Sequence, residues 1–384
     1  MIPYGKQHIT QDDIDAILKV LHSDFLTQGT AVPIFEAALC SQTGAAYAVA
    51  VNSATSALHV ACRALGLRVG DQLWTVPNSF VASANCGLYC GARVDFVDID
   101  PTSWNMSVDA LRTKLERGRK VGSLPSIVVP VHFAGQPTDQ EAIWQLAKEY
   151  GFKVLEDASH SIGASHYGER VGSCRWSHAT VFSFHPVKII TTAEGGAVLT
   201  NDIDVYSKMQ MMRSHGITRD PMRFVNKRVV HSSAWYYEQQ ILGFNYRMTD
   251  IQAALGFSQI KRLNEYLEIR TKIARRYDEL LSGLPVMIPK LSKGNISAWH
   301  LYVIRVRQVR EKCFNSLRKS EIGVNVHYFP IHLQPYYRDL GFTEGNFPEA
   351  ELHGKEALTL PLYPGLLAQD QDRVVKKLYE FFAN

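Results

Sequence analysis

Apolar residues recur at two periods along this chain, and the periods alternate. After Thr10-Gln11-Asp12-Asp13, residues Ile14, Ile17, Leu18 and Leu21 fall at helical spacing, and the opening reads as a capping box with an acid in place of the usual Glu. Short strand-like runs follow at 45–51, 95–98, 127–131, 152–155, 179–184 and 196–200. Helical stretches separate them, from the turn at 52–58 through about 65, then at 108–115 and 139–150. Such alternation predicts an α/β fold, a mostly parallel central sheet covered by helices. A long helical segment over 249–281 leads into a strand at 299–307, where Tyr302, Ile304 and Val306 alternate, a helix at 311–322 and a strand at 324–326. The pattern predicts a large domain over 1–260 and a smaller C-terminal α+β domain over 261–384. It leaves open whether the N-terminal helix packs with the smaller one. There is no internal repeat and no low-complexity tract.

Composition narrows the function classes. A formal net charge of +4 on 384 residues argues against a nucleic-acid surface, while mild positivity suits a phosphorylated substrate. The six cysteines, Cys40, Cys62, Cys86, Cys90, Cys174 and Cys313, form no CxxC pair, so neither zinc nor any other metal is expected, and a reducing compartment is. No basic segment followed by an apolar run opens the chain, and no apolar stretch approaches bilayer length. The expectation is a cytoplasmic protein without a membrane partner. No GxGxxG turn follows an early strand, which argues against a nicotinamide dehydrogenase.

Candidate chemistry gathers where predicted strands end. The run Ser183-Phe184-His185-Pro186-Val187-Lys188 delivers a hydroxyl, an imidazole and an amine into one loop, closed by Gly195-Gly196. A lysine so placed can form a Schiff base with an aldehyde cofactor, although most lysines are solvated surface charges. Asp157 follows the apolar run 152–155 and precedes Lys188 by 31 residues. An acid there can keep a pyridine nitrogen protonated; a lone aspartate reads first as a helix cap or surface ion pair, and the pairing with the Lys188 loop turns the reading toward the cofactor. Asn52-Ser53-Ala54-Thr55-Ser56 opens a helix, and helix N-termini bind phosphate as well as being capped by such residues. Phe80 stands at a strand-to-helix junction, where its ring could stack on a flat cofactor or simply pack in the core. Two further segments stay ambiguous. Arg219, Arg223, Lys227 and Arg228 read as a solvated loop or as a cover over a diphosphate. His327 and His332, five apart with no third ligand nearby, make a poor metal site.

These pieces, in this order, resemble the DegT/StrS family of sugar aminotransferases, over 4–361. The residues that carry the likeness include Leu26-Thr27-Gln28-Gly29, the 52–58 turn, Ser79-Phe80-Val81-Ala82 and Ser159-His160. They continue with the 183–197 loop, Arg213-Ser214-His215-Gly216, 235–240, Gly243-Phe244-Asn245-Tyr246-Arg247 with 248–254, and Val326-His327-Tyr328. The resemblance implies a fold-type I enzyme dependent on pyridoxal 5'-phosphate (PLP, or PMP when aminated). It makes Lys188 the Schiff-base lysine and Asp157 the pyridine-nitrogen partner. Phe80 and His160 would meet the cofactor ring, and Thr55, Ser56 and Ser183 its phosphate. Asn245 would reach that phosphate from the other subunit of a homodimer whose active sites are shared. Sugar-nucleotide contacts would fall to His185, His327, Tyr328, Arg213 and His215. Lysine at 188, where some relatives carry His, favours transamination over dehydration; many relatives have Ala-Gln in place of Ser159-His160. The likeness is nearest the pseudaminic-acid branch, which implies L-glutamate as donor and C4 of a UDP-4-keto-6-deoxy-N-acetylhexosamine as acceptor. Another nucleotide-linked keto-sugar, or a non-catalytic protein of the same fold, is the alternative.

Overall fold

Seven strands form the central sheet of the computed structural model, which describes residues 1–226 and 235–383. They are β1 (Tyr47–Val51), β2 (Gln72–Thr75), β3 (Arg93–Phe96), β4 (Ile127–Val129), β5 (Lys153–Asp157), β6 (Ala179–Ser183) and β7 (Gly196–Thr200). Their order is β1-β7-β6-β5-β4-β2-β3. β7 runs antiparallel to both neighbours, and every other adjacent pair is parallel.

The continuous apolar runs follow from burial on both faces. On β7, Ala197 and Leu199 face a core with Phe35 and Leu39, whereas Val198 faces one with Leu58 and Met209. On β5, Val154 and Leu155 divide in the same way between two cores. Helices α2 (Ala31–Thr43), α3 (Ala54–Ala64), α4 (Ala82–Tyr89), α5 (Val108–Val121), α6 (Gln140–Tyr150) and α7 (Ile203–Arg213) cover the sheet.

Helix α1 (Gln11–Leu21) starts at the expected capping box, with the Thr10 amide donating to the Asp13 carboxylate at 2.9 Å. The predicted 249–281 helix is two helices, α8 (Asp250–Ile260) and α9 (Leu263–Leu280). They break where Arg262 turns its guanidinium onto the buried Asp13 carboxylate, 2.7 Å away, with Gln259 donating to the same group at 2.7 Å. That pairing docks α1 on α8.

A second, antiparallel sheet joins β8 (Val286–Met287), β9 (Tyr302–Val306) and β10 (Ala357–Leu360). Its core gathers Tyr277, Ile304, Leu317, Leu358, Val374 and Leu378. The predicted strand at 324–326 makes only one bridge, Asn325 with Thr359. The chain start crosses this region: the Ile2 amide bonds Glu321, and Tyr4 accepts from the Leu362 amide. From the C-terminal third, Ile331, Tyr337, Phe347 and Ala350 pack on the large sheet beside Trp74 and Phe96. Among the described residues, no helix is long and apolar enough to cross a membrane, and no His, Cys, Asp and Glu group is arranged to hold a metal. All six cysteines are free thiols.

Candidate active site

A cavity of about 600 Å³ opens where the parallel strands end, the position at which α/β sheets take ligands. Its floor is built from three strand exits. β1 leads through Ser53 into α3; Ser53 is the N-cap, its hydroxyl accepting the Ser56 amide at 3.1 Å. The turn lies close against β7 because residue 196 is glycine: a Cβ there would stand 2.6 Å from the Ala54 nitrogen and 2.7 Å from the Ser53 carbonyl carbon. Ser53, Ala54 and Thr55 line the cavity at this turn, where the Ala54 and Thr55 amides lie too early in α3 to have intrahelical partners. Ser56 does not line it; its hydroxyl is spent on Asn52, at 2.7 Å.

Asp157 ends β5. One carboxylate oxygen accepts the Ser83 hydroxyl at 2.6 Å and the other accepts the Ser159 amide at 3.1 Å. Ser79 in turn shares a 2.7 Å hydrogen bond with Ser83. No lysine, arginine or histidine bonds this carboxylate among the described residues.

The third exit is the loop after β6. It is closed by backbone bonds from Phe184 to Gly195 and from Thr192 to Phe184, each 2.9 Å, and by the Thr191 hydroxyl on the Phe184 carbonyl. So held, Lys188 reaches the cavity. Burial lowers its ammonium to a pKa of about 8, with the Asp157 charge opposing the drop.

The wall comes from the C-terminal third. Tyr328 shares a 3.2 Å hydrogen bond with His160 Nε2, and its amide donates to Asn78. Burial, reinforced by Asp157, raises the Tyr328 phenol; burial, reinforced by Lys188, holds His160 well below the ordinary imidazole range. His327 Nδ1 lies 2.7 Å from the Thr359 hydroxyl, and burial takes its pKa to about 3. Both histidines are therefore neutral at physiological pH.

The cavity thus brings together Thr55, Phe80, Asp157, His160, Ser183, His185, Lys188, His327 and Tyr328. Phe80 stays 60% exposed, at the mouth rather than in the core. Arg213, His215 and Asn245 lie outside it. Arg213 pairs with Glu36 and donates to the Ala50 carbonyl, bracing β1. His215 and Asn245 are exposed on adjacent segments joined by the Ser214–Asn245 bridge. Of the basic loop, Arg223 pairs with Asp220 at 3.6 Å, and Lys227 and Arg228 lie outside the described residues.

Sequence reasoning missed Tyr4, Ser83 and His300. Tyr4 and His300 reach the cavity from remote parts of the chain, with no local signal. Ser83 had one: Ser79 and Ser83 are i, i+4 hydroxyls at an otherwise apolar helix start.

These features fit pyridoxal phosphate. A carboxylate held by neutral donors suits a protonated ring nitrogen, the glycine-permitted cradle of helix amides suits a phosphate, and a lysine of lowered pKa suits an aldehyde. The profile of the DegT/DnrJ/EryC1/StrS aminotransferase family matches residues 7–379. The UDP-4-amino-4,6-dideoxy-N-acetyl-beta-L-altrosamine transaminase of Campylobacter jejuni is 37% identical over 385 residues, 99% of this chain and 97% of that protein. The spore coat polysaccharide biosynthesis protein SpsC of Bacillus subtilis is 35% identical over 98% of this chain and 95% of its own length. Helicobacter pylori PseC, an aminotransferase involved in pseudoaminic acid biosynthesis, superposes with a TM-score of 0.90 at 32% identity, covering 100% of this chain and 99% of its own. The putative sugar aminotransferase Spr1654 of Streptococcus pneumoniae, solved in PMP and PLP forms, is 27% identical with TM-scores of 0.90 and 0.88. Over residues 7–379, then, the chain belongs to the DegT/DnrJ/EryC1/StrS aminotransferase family, and it is a PLP-dependent sugar aminotransferase.

Proposed function

We propose that this enzyme moves an amino group from L-glutamate to C4 of a UDP-4-keto-6-deoxy-N-acetylhexosamine, the step of the pseudaminic-acid branch. The observation that carries the catalytic part is the convergence of Lys188 and Asp157 on one cavity floor, beside the N-terminus of α3. The relatives from C. jejuni and H. pylori support the sugar.

In this reading the first amides of α3, Thr55 and Ser183 hold the cofactor phosphate, and Ser56, turned onto Asn52 and Ser53, braces that turn. Asp157, braced by Ser83, keeps the ring nitrogen protonated, and Phe80 and His160 contact the ring. When bound, pyridoxal phosphate supplies the electron sink that makes a Cα–H bond acidic. Lys188 Nζ would hold the cofactor's aldehyde, and once an incoming donor amine displaces it, the free neutral amine would accept the proton at the donor's Cα. A pKa of about 8 leaves a working fraction of that amine neutral near pH 7.5. His185, His327 and Tyr328 contact the sugar nucleotide; as neutral donors and acceptors they discriminate hydroxyls without attracting stray anions. The segment carrying Arg213, His215 and Asn245 serves the cavity of a second subunit in a homodimer, consistent with the exposure of His215 and Asn245.

The test is incubation with glutamate and UDP-2-acetamido-2,6-dideoxy-4-hexulose isomers, with NMR of the product. A 4-amino-4,6-dideoxy sugar nucleotide is expected. Amination only of C3 ketones or of dTDP-linked sugars would instead select the second reading, another keto-sugar. That reading draws on the near-equal identity to SpsC.

A further inference from the structure

His300 lines the cavity while only 4% exposed, and no motif pointed to it. It sits on the chain crossing that enters β9, and two features fix that crossing.

The first is Gly135, at φ +103°, after β4. A Cβ at 135 would stand 2.8 Å from the Trp299 nitrogen, 2.9 Å from the His300 nitrogen and 3.1 Å from the His160 carbonyl oxygen. The turn that carries His160 and the crossing that carries His300 can both close on this point only because the residue between them has no side chain. Backbone bonds from Ala298 to Gly135 and from Leu301 to Ala134 secure the contact.

The second is Arg270 on α9, 1% exposed. Its Nη1 donates to the carbonyls of Trp299, His300 and Leu362 at 3.2, 3.3 and 3.3 Å. Among the described residues no carboxylate pairs with it. A buried cation with only carbonyl partners is costly to the fold. This one clamps the backbone that presents His300.

What the clamp presents is a ring. The His300 and His160 imidazoles lie 4.4 Å apart between centroids, tilted by 47°. Nδ1 is buried and without a hydrogen-bond partner on both. Their contact is therefore ring against ring rather than a hydrogen bond. On its other edge, His160 meets the Tyr328 hydroxyl.

We infer that His300 is a positioning residue: its ring, fixed by the Gly135 crossing and the Arg270 clamp, sets the plane in which His160 meets the pyridoxal ring. The inference rests on the reading that His160 contacts the cofactor.

The test measures PLP binding to the cofactor-free protein by fluorescence titration, and the visible band of the loaded protein, for His160→Ala, His300→Ala, both together, and His300→Phe. Each alanine variant should bind PLP about tenfold more weakly and shift the band, the scale of one aromatic contact. The double variant should lose no more than roughly a further twofold, because both changes remove the same contact. His300→Phe, which restores a ring, should stay within about threefold of the parent. Losses that multiply in the double variant, or a phenylalanine variant as weak as the alanine one, overturn the role of His300. A His160→Ala variant with parental affinity overturns the reading beneath it as well. If His300→Ala does not melt cooperatively, His300→Leu takes its place. It keeps apolar volume without a ring, and weak binding by a folded leucine variant supports the inference while parental binding overturns it.

Discussion

The proposed phosphate cradle rests on one absent methyl group, which makes Gly196→Ala a sharp probe of the site. The backbone at 196 does not need glycine for its conformation, since its φ is not among the positive ones. Only space forbids a side chain. The added Cβ would meet the Ala54 nitrogen at 2.6 Å, whereas ordinary contact begins near 3.4 Å, so the turn or β7 must retreat by about 0.8 Å. A hydrogen bond of ordinary length stretched by that amount passes out of range. One lost charge-assisted bond to the phosphate is worth about 1.5–3 kcal/mol, a factor of roughly 10 to 150 in affinity. Equilibrium titration of the cofactor-free variant with PLP measures this directly. Some overpacking cost will appear in the melting temperature of the cofactor-free protein, so the diagnostic quantity is the extra stabilisation that saturating PLP adds. Gly5→Ala is the control: its Cβ would lie 3.6 Å from Val187, in ordinary contact, beside the same lysine loop. If Gly196→Ala binds PLP within about twofold of the parent, with Gly5→Ala alike, the α3 turn does not hold the phosphate and the reasoning fails.

Other consequences can be checked independently. Lys188→Ala should abolish turnover and the covalent retention of cofactor after borohydride, read by intact mass; retention of both would remove Lys188 from the mechanism. On the proposed mechanism the Lys188 amine works when neutral, so a proton-transfer-limited rate should rise with pH through about 8 and level off above it. Asp157 is the influence that holds that value up, so Asp157→Asn should move the limb to lower pH while slowing the reaction; an unmoved limb would mean that another group titrates. Away from the site, Asp13→Ala should cost about 1–3 kcal/mol in urea unfolding, because Arg262 loses its buried partner and keeps only the exposed Asp12, 3.8 Å away, and the Tyr266 hydroxyl. Burial pushes the Asp13 carboxyl up, but hydrogen bonds from Ser258, Thr10, Arg262 and Gln259 bring it below 3.8. Its stabilisation is thus present above that pH and lost as pH falls through the folded value, and the variant should show a flatter acid limb.

What the chain reveals before folding, and what it hides, follows from how far each interaction reaches. The strands were legible because burial on both faces leaves a run of apolar residues, as at Val154-Leu155 and Val198-Leu199, whatever lies above them. The floor of the cavity was legible for a related reason: Ser53, Asp157 and Lys188 each follow a strand of one sheet, and parallel strands bring such ends to one side. Its far wall obeys no such rule. Tyr4 arrives because the chain start pairs with residues 321 and 362, and His300 because a glycine at 135 admits a crossing from β9. Neither leaves a mark in the residues around it. The same limit explains the broken 249–281 helix. Helical spacing continues through Lys261-Arg262, and the break coincides with the turn of Arg262 toward an aspartate about 250 positions earlier in the chain. The same holds for Arg213, for which the family resemblance implied a sugar-nucleotide contact: its guanidinium pairs with Glu36 on α2 and donates to the Ala50 carbonyl on β1, partners that nothing in the local sequence announces. Chemistry carried on strand ends can therefore be read from a sequence, whereas chemistry that closes over it from a second sheet has to be read from contacts. On the proposed reading a sugar nucleotide above the floor meets that second set, so substrate choice should respond more to changes at Tyr4, His327 and Tyr328 than to changes at Thr55 or Ser183, on the phosphate side of the floor.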